Sequence, residues 1–233
     1  MKKLLVILFI IGIYLNRSYS YFYTFLAQIH LPAPSHQTKT IIGTKLDSQI
    51  IRYTALGDSL TAGVGVSNYE QSYPYLLSRR LSLTQNVELF NFAQSGATSL
   101  DVLTYQIPQA LSAKPDLITI LIGINDIHNL KSTKEFESNY MKIITALKTT
   151  KAKIYLLSIP YLGSEKILFF PYNFILGART KQFNNIIKNI SKNYDTGYID
   201  LNALSKSTGF YSTDQFHPAE TGYKEWSETI NGN

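Results

Sequence analysis

Residues 51–60 read Ile-Arg-Tyr-Thr-Ala-Leu-Gly-Asp-Ser-Leu, an apolar and β-branched run that ends at a glycine and a serine. The first six residues favour a buried strand, and Gly57 permits a tight departure of the chain from its end. In open parallel sheets, sites form beyond the carboxyl ends of the strands. Ser59 is therefore predicted to be exposed on a rigid scaffold. Taken alone, a serine in this position is more often a cap or turn residue.

The strand pattern recurs along the rest of the chain and alternates with helical patterns. Strands are predicted at 51–56, 87–92, 116–122, 153–159 and 197–201, and helices near 71–84, 98–112, 133–150, 174–193 and 218–230. This alternation indicates βαβ units and a parallel sheet that is covered on both faces. We predict an α/β fold, a three-layer α/β/α sandwich with a five-stranded parallel sheet in the flavodoxin-like strand order 2-1-3-4-5.

Three other polar segments open at the ends of predicted strands, as the serine segment does. They are Asn91–Thr98 after strand two, Gly123–Asp126 after strand three and Asp214–Pro218 after strand five. In the predicted strand order, the first two segments lie on either side of Ser59. The third starts roughly 14 Å away, at about 4.8 Å per strand, and its long connection can reach back. A long loop of this kind in a compact domain is usually functional.

The chemistry of these segments fits nucleophilic catalysis. A serine hydroxyl needs a base within hydrogen-bond reach, and His217 is the proposed general base. Asp214, three residues earlier, can hold the other imidazole nitrogen and fix the tautomer. Each residue also has a structural interpretation: His217 as a capping or half-buried histidine, Asn125 as part of an ordinary turn, and Gly96 as relief of backbone strain.

The four segments, in this order, resemble the blocks of the SGNH hydrolases, the GDSL family of esterases and lipases, over about residues 51 to 230. The resemblance implies a serine ester hydrolase with Ser59 as nucleophile. It also implies an oxyanion hole formed by the backbone N–H groups of Ser59 and Gly96 and the side-chain amide of Asn125. Asp58 and Asp126 are interpreted as hydrogen-bond acceptors that organise their loops.

The sequence also gives an expectation for two residues near these segments, Pro218 and His128. Pro218 suits the first position of the final helix. His128, close behind Asn125, is interpreted as a solvated loop histidine.

The aromatic stretch at 169–176 could line an acyl pocket, touch a membrane or pack as the start of a helix.

The N-terminus has the composition of an export signal. Lys2 and Lys3 precede a dozen apolar residues, and apolar character continues through residues 21–27. We expect residues 1–27 to be a cleaved signal peptide or an uncleaved membrane anchor, so that the protein is secreted or is associated with the membrane through residues 4–27. The structural alternative is a buried first helix. Residues 28–50 are interpreted as a linker and lead-in, and 51–233 as the hydrolase domain.

Composition narrows the classes of function. The chain of 233 residues contains no Cys, so disulfides and thiolate chemistry are absent. Its four His show no metal-ligand spacing, and we predict no metal and no cofactor. The net charge of +6 becomes +3 when the leader is left out, too little to indicate nucleic-acid binding.

The predicted substrates are lipid or small acyl esters, or O-acetyl groups on cell-surface polysaccharide. A non-catalytic binding domain on the same scaffold is the alternative from another class.

Overall fold

A computed structural model describes residues 2–28, 32–34, 38–44, 49–160, 167, 170–202, 204 and 208–232. The strands are β1 (Lys39–Ile42), β2 (Ile50–Gly57), β3 (Asn86–Asn91), β4 (Leu117–Leu121), β5 (Lys153–Leu157) and β6 (Gly197–Ile199). The helices are α1 (Lys2–Gln28), α2 (Ser59–Ala62), α3 (Tyr73–Leu81), α4 (Ser99–Asp101), α5 (Ile107–Ala113), α6 (Ile124–His128), α7 (Thr133–Leu147), α8 (Tyr172–Asn193) and α9 (Glu220–Asn231). A π-helical turn, Val102–Gln106, joins α4 to α5.

The sheet has six strands in the order β1-β3-β2-β4-β5-β6. The five strands from β2 to β6 are parallel, and their order is the predicted 2-1-3-4-5. The α/β fold predicted from the alternating pattern is therefore confirmed. The central position of β2 follows from its pairing with β3 on one side and β4 on the other, and this places its carboxyl end, and Ser59 beyond it, in the middle of one edge of the sheet.

The edge strand β1 was not predicted. It lies within residues 28–50, interpreted above as a linker and lead-in, and pairs antiparallel with β3 from Lys39↔Phe90 to Ile42↔Val87. Its four residues are too few to show a strand period, and three of them keep partial or full solvent contact. Pairing with an exposed neighbouring edge supplies the order that its sequence lacks.

The core lies on both faces of the sheet. Its central strand residues, including Tyr53, Leu56, Ile118, Ile120 and Leu156, are fully buried. On one face α3 packs against α9, and on the other α7 packs against α8. This packing makes the strand ends rigid, so that loops beyond them are held in fixed relative positions.

Helix α1 is not a buried first helix of the domain. Its apolar side chains from Leu4 to Leu15 are all exposed. Within the described residues it is the single helix whose length and composition would allow it to cross a membrane, over Lys2–Tyr21. A signal sequence has the same properties, so α1 fits either form of the leader predicted above.

Candidate active site

The serine segment leaves β2 through a backbone conformation that favours glycine. Gly57 has φ +155°, and a Cβ there would lie 2.3 Å from the carbonyl oxygen of Leu121. The chain then turns at once into α2, whose N-cap is Asp58; its side chain accepts a hydrogen bond from the N–H of Leu60 at 3.0 Å. The short helix therefore begins at Ser59, directly beyond the central strand. Ser59 is only 8% exposed, so the prediction of an exposed serine was wrong: the His217 segment packs over it.

Ser59, His217 and Asp214 form one chain of hydrogen bonds. His217 Nε2 lies 2.9 Å from Ser59 Oγ, and His217 Nδ1 lies 2.6 Å from Asp214 Oδ2. The side chains of His217 and Asp214 are almost completely buried. Three groups from opposite ends of the domain thus meet with the geometry that a nucleophile, a base and an orienting carboxylate require.

Asp214 holds its own loop as well as the imidazole. Its Oδ1 accepts hydrogen bonds from Ser212 Oγ at 2.7 Å and from the N–H groups of Phe216 and His217 at 2.9 Å. Burial raises the pKa of this carboxyl, but the hydrogen bond and charge of His217 and the other donors outweigh burial and hold it below its usual range. Asp214 therefore remains a carboxylate at neutral pH.

The segment that carries His217 is a turn closed by backbone pairing on either side. Tyr211 and Pro218 form an antiparallel bridge, the N–H of Ser212 donates to the carbonyl of His217, and the N–H of Ala219 donates to the carbonyl of Phe210. Because these bonds continue past Pro218, α9 starts only at Glu220, and the prediction of Pro218 as its first residue was wrong.

A close backbone approach holds this segment beside Ser59. A Cβ at Gly65 would lie 2.3 Å from the carbonyl oxygen of Pro218. Tyr223 donates from Oη to the carbonyl of Val64 at 2.6 Å, which ties α9 to the same stretch. The absence of a side chain at Gly65 therefore allows the His217 segment to pack directly on the chain that follows Ser59.

The three predicted oxyanion donors lie on neighbouring loops. The loop after β3 continues alongside β2, where the N–H of Gln94 donates to the carbonyl of Gly57, and it reaches Gly96 two residues later. Asn125 lies in α6, after β4, and donates from Nδ2 to the carbonyl of Ala97 at 2.9 Å, which leaves its second amide hydrogen available. In the described part of the chain, the backbone N–H groups of Ser59 and Gly96 donate to no other residue.

Gly96 faces open space. Its φ of +81° favours glycine, and a Cβ built there would meet no atom within 4 Å. The backbone at this position is therefore accessible to a bound molecule, as an oxyanion donor must be.

Asp126 joins the two loops that carry these donors. Its two carboxylate oxygens accept from the N–H of Ser99 at 2.8 Å and from Ser99 Oγ at 2.5 Å. Asn139 of α7 donates to the same hydroxyl at 3.2 Å. The interpretation of Asp58 and Asp126 as loop-organising acceptors is confirmed by these bonds, although the partner Ser99 was not predicted.

Gln106 is a supporting residue that the sequence did not reveal. Its buried side-chain amide accepts from the N–H of Gly57 at 2.9 Å and donates to the carbonyl of Gly57 at 2.8 Å. The π-helical turn that ends at Gln106 directs this amide to the end of β2, and such turns recur at functional sites. The turn has no local sequence signal, so only the tertiary contact identifies it.

Two titratable groups beside the site are shifted by burial. Asp58 is fully buried; burial raises its pKa to about 7, with a smaller contribution from the charge of Asp126. His128 is buried rather than solvated, so the sequence interpretation was wrong; burial and the nearby His217 lower its pKa to about 4. Its ring lies 5.5 Å from that of Phe216, next to the catalytic histidine candidate. His128 is therefore neutral at physiological pH.

A metal site in this chain would require a cluster of His, Asp or Glu side chains. Among the described residues there is no group of three or more His, Asp or Glu side chains that could hold a metal ion. His30 and His36 lie outside the described residues.

Comparison with known proteins identifies the group to which this chain is related. Residues 55–225 match the model of the GDSL-like lipase/acylhydrolase family. The chain is 27% identical over 204 residues to the spore germination lipase LipC of Bacillus licheniformis, covering 77% of this chain and 94% of that protein. It is 28% identical over 215 residues to an acetylxylan esterase of Xylanibacter ruminicola, covering 82% of this chain but only 44% of that protein.

Solved structures share the fold. The lipase/acylhydrolase from Enterococcus faecalis superposes with a TM-score of 0.66 at 23% identity, covering 78% of this chain and 94% of that one. Because the family match spans most of the chain and the same fold recurs in this relative, the chain belongs to the GDSL-like lipase/acylhydrolase family of carboxylic ester hydrolases.

Proposed function

We propose that this protein hydrolyses carboxylic esters through an acyl-Ser59 intermediate. The observation that carries the proposal is the hydrogen-bond chain from Ser59 Oγ through His217 to Asp214. His217 takes the Ser59 proton as Oγ attacks the ester carbonyl, and it returns that proton to the leaving alcohol. A water molecule, deprotonated by His217, then attacks the acyl-enzyme and releases the acid.

The oxyanion of each tetrahedral intermediate is bound by three donors in this proposal. They are the N–H groups of Ser59 and Gly96 and the free amide hydrogen of Asn125. The first two lie on backbone held by Gly57 and its partners, and the third lies on a side chain anchored at the carbonyl of Ala97. Donors that are fixed before the reaction stabilise developing charge without reorganisation.

The nucleophile is tested by turnover and by covalent capture. The full chain, purified in detergent, should hydrolyse a short-chain p-nitrophenyl ester, and Ser59→Ala and His217→Ala should each lower kcat by several decades, about 10⁴-fold or more. A fluorophosphonate should add to Ser59, as seen by mass spectrometry of the labelled peptide. Wild-type turnover by folded Ser59→Ala would show that another group is the nucleophile.

A second candidate activity is removal of O-acetyl groups from cell-surface polysaccharide. It is supported by the similarity to the acetylxylan esterase, although this chain spans less than half of that protein. An ester panel from acetyl to long acyl, run beside an acetylated polysaccharide, separates the two. A non-catalytic binding domain would bind such compounds without turnover and without fluorophosphonate labelling.

We further propose that the enzyme acts outside the cytoplasmic membrane. The composition of residues 1–27 and the exposed apolar helix α1 support export, and the hydrolase domain predicted at 51–233 then also includes the edge strand β1. We place no nucleic acid among its partners. Cell fractionation, with the mass of the mature N-terminus, distinguishes a cleaved signal from an anchor.

A further inference from the structure

The start of helix α8 and the residues just before it present apolar side chains to solvent at the edge of the sheet that carries Ser59, here called the catalytic edge. Phe170 is 69% exposed, Phe174 is 74% exposed and Ile175 is 45% exposed. We call these three residues the apolar patch. From Phe170 to Ala178 the chain carries no charged residue, whereas the exposed side of a helix in water is normally polar. Exposed apolar clusters of this kind mark interaction surfaces.

Helix α1 runs directly beside the apolar patch. Tyr172 donates from Oη to the carbonyl of Leu15 at 2.9 Å, and Tyr14 donates to the carbonyl of Phe170 at 3.5 Å. The ring of Tyr19 lies 6.4 Å from that of Tyr172. The patch is therefore continuous with the exposed apolar surface of the candidate membrane span.

The length of the candidate span, compared with the thickness of a bilayer, indicates how deep the apolar patch would lie if α1 crossed the membrane. The span Lys2–Tyr21 has 20 residues, which at about 1.5 Å per residue is close to the roughly 30 Å of a hydrocarbon core. Tyr14 precedes Tyr21 by seven positions, so the loop that contacts it lies about 10 Å below the outer boundary. Interfacial protein segments insert by about 5–10 Å. The apolar patch thus matches the depth at which such segments lie.

The charges beside the patch suit an anionic lipid surface. Helix α8 contains no acidic residue, and its exposed basic residues begin at Lys181, just beyond the patch, because Arg179 donates to the carbonyl of Lys131. In α1, the lone charged residue between Leu4 and Tyr21 is Arg17, close enough to the outer boundary for its head group to reach the lipid head groups. Basic residues in this position attract anionic lipids.

The C-terminal part of helix α1, just beyond the candidate span, contacts the region of the candidate active site. Tyr23 donates from Oη to the carbonyl of His128, and the His128 ring packs against Phe216, next to His217. Two residues, His128 and Phe216, therefore connect Tyr23 of α1 to the proposed general base His217. Insertion of the patch would therefore bring the catalytic edge to the lipid surface, where the ester groups of membrane lipids lie.

We propose that the apolar patch inserts into the outer leaflet beside an uncleaved α1, and that Ser59 there acts on acyl esters of membrane lipids. The substrate part rests on the proposed function, whereas the docking part does not. The partner of the apolar patch is the lipid bilayer, because the patch adjoins the candidate membrane span in α1. Its expected depth and the basic residues beside it are also those of a segment at a lipid surface.

Insertion is measured without reference to catalysis. The chain contains no Cys, so a spin label can be attached to Phe174→Cys alone. Leu83→Cys is the matched control, since Leu83 is also 74% exposed but lies before β3, at the opposite edge of the sheet. The full chain is reconstituted into vesicles of phosphatidylethanolamine and phosphatidylglycerol. Collisions of each label with oxygen and with a water-soluble nickel complex then give its depth.

We expect the label at 174 to be protected from nickel, exposed to oxygen and about 5–10 Å deep, and the label at 83 to be in water. Equal nickel exposure at both positions would overturn the docking proposal even if the enzyme hydrolyses esters. Phe170→Cys provides a second label if Phe174→Cys does not fold.

The substrate part is tested in the same vesicles. Phe174→Ser should keep wild-type turnover of a soluble p-nitrophenyl ester but lose about tenfold or more on a vesicle-embedded acyl ester, because an apolar contact with the leaflet is removed. Leu83→Ser should change neither rate. Turnover of acetylated polysaccharide with none of the lipid ester would overturn the substrate assignment. Docking without turnover of any ester would instead contradict the proposed function.

Discussion

Replacing Asp214 by asparagine tests whether this carboxylate sets the protonation of His217. Asp214 Oδ1 faces three donors, Ser212 Oγ and the N–H groups of Phe216 and His217, while Oδ2 faces His217 Nδ1. In Asp214→Asn the amide oxygen must occupy the Oδ1 position, because an NH₂ group there would meet two backbone N–H groups. The amide nitrogen then points at His217 Nδ1.

This arrangement forces the wrong tautomer. With an N–H donor opposite Nδ1, the imidazole carries its proton on Nε2, the atom that lies 2.9 Å from Ser59 Oγ. Nε2 can then no longer accept the Ser59 proton. The expected loss in kcat is about 10⁴-fold, equivalent to roughly 5.5 kcal/mol of transition-state free energy.

Asp214→Ala is the informative comparison. It removes the carboxylate but places no donor opposite Nδ1, so the productive tautomer stays accessible and kcat should fall less than in Asp214→Asn. It also leaves three donors without their acceptor, at about 0.5–1.5 kcal/mol each, so the free energy of unfolding should fall by about 2–4 kcal/mol. Asp214→Asn keeps that acceptor and should stay close to wild-type stability.

The two variants are compared by kcat on a soluble p-nitrophenyl ester and by urea unfolding. Activity should decrease from wild type to Asp214→Ala to Asp214→Asn, whereas stability should be lowest for Asp214→Ala. Folded Asp214→Asn that is more active than Asp214→Ala would refute the argument from the tautomer.

Three other substitutions follow from contacts around Ser59. Gly57→Ala should destabilise the fold by more than about 3 kcal/mol in urea unfolding, since its Cβ would lie 2.3 Å from the Leu121 carbonyl oxygen; a stable variant would mean that β2 and β4 can separate there. Burial raises the pKa of Asp58 to about 7, so its contribution to stability is full below about pH 4 and is lost as the pH rises through 7. Asp58→Asn should therefore abolish a loss of about 3 kcal/mol between pH 5 and pH 8, and an unchanged pH dependence of unfolding would show that Asp58 is not its source. Asp126→Asn leaves one acceptor oxygen for the two Ser99 donors, so kcat should fall about 10- to 100-fold with little change in KM; a change in KM alone would place Asp126 in substrate binding instead.

The strands and their order could be predicted because they depend on local patterns. Short apolar and β-branched runs such as 116–122 indicate buried strands by their composition, and right-handed crossovers leave few ways to arrange five parallel strands. The short edge strand β1 could not be predicted, because its four residues, three of them at least partly exposed, acquire their order from β3. The start of α9 was misplaced for a similar reason: the bridge between Tyr211 and Pro218 outweighs the helix preference of a proline.

By itself, the sequence determined which residue types follow each strand, and so it predicted Ser59, His217 and Asp214 as a candidate catalytic set. The tertiary structure decided how that set is supported. Gln106 meets Gly57 from 49 positions away, and no local pattern encodes such a contact. This contact forms only when the folded sheet brings distant loops to one edge. A buried polar group there that lacked a hydrogen-bond partner would destabilise the fold.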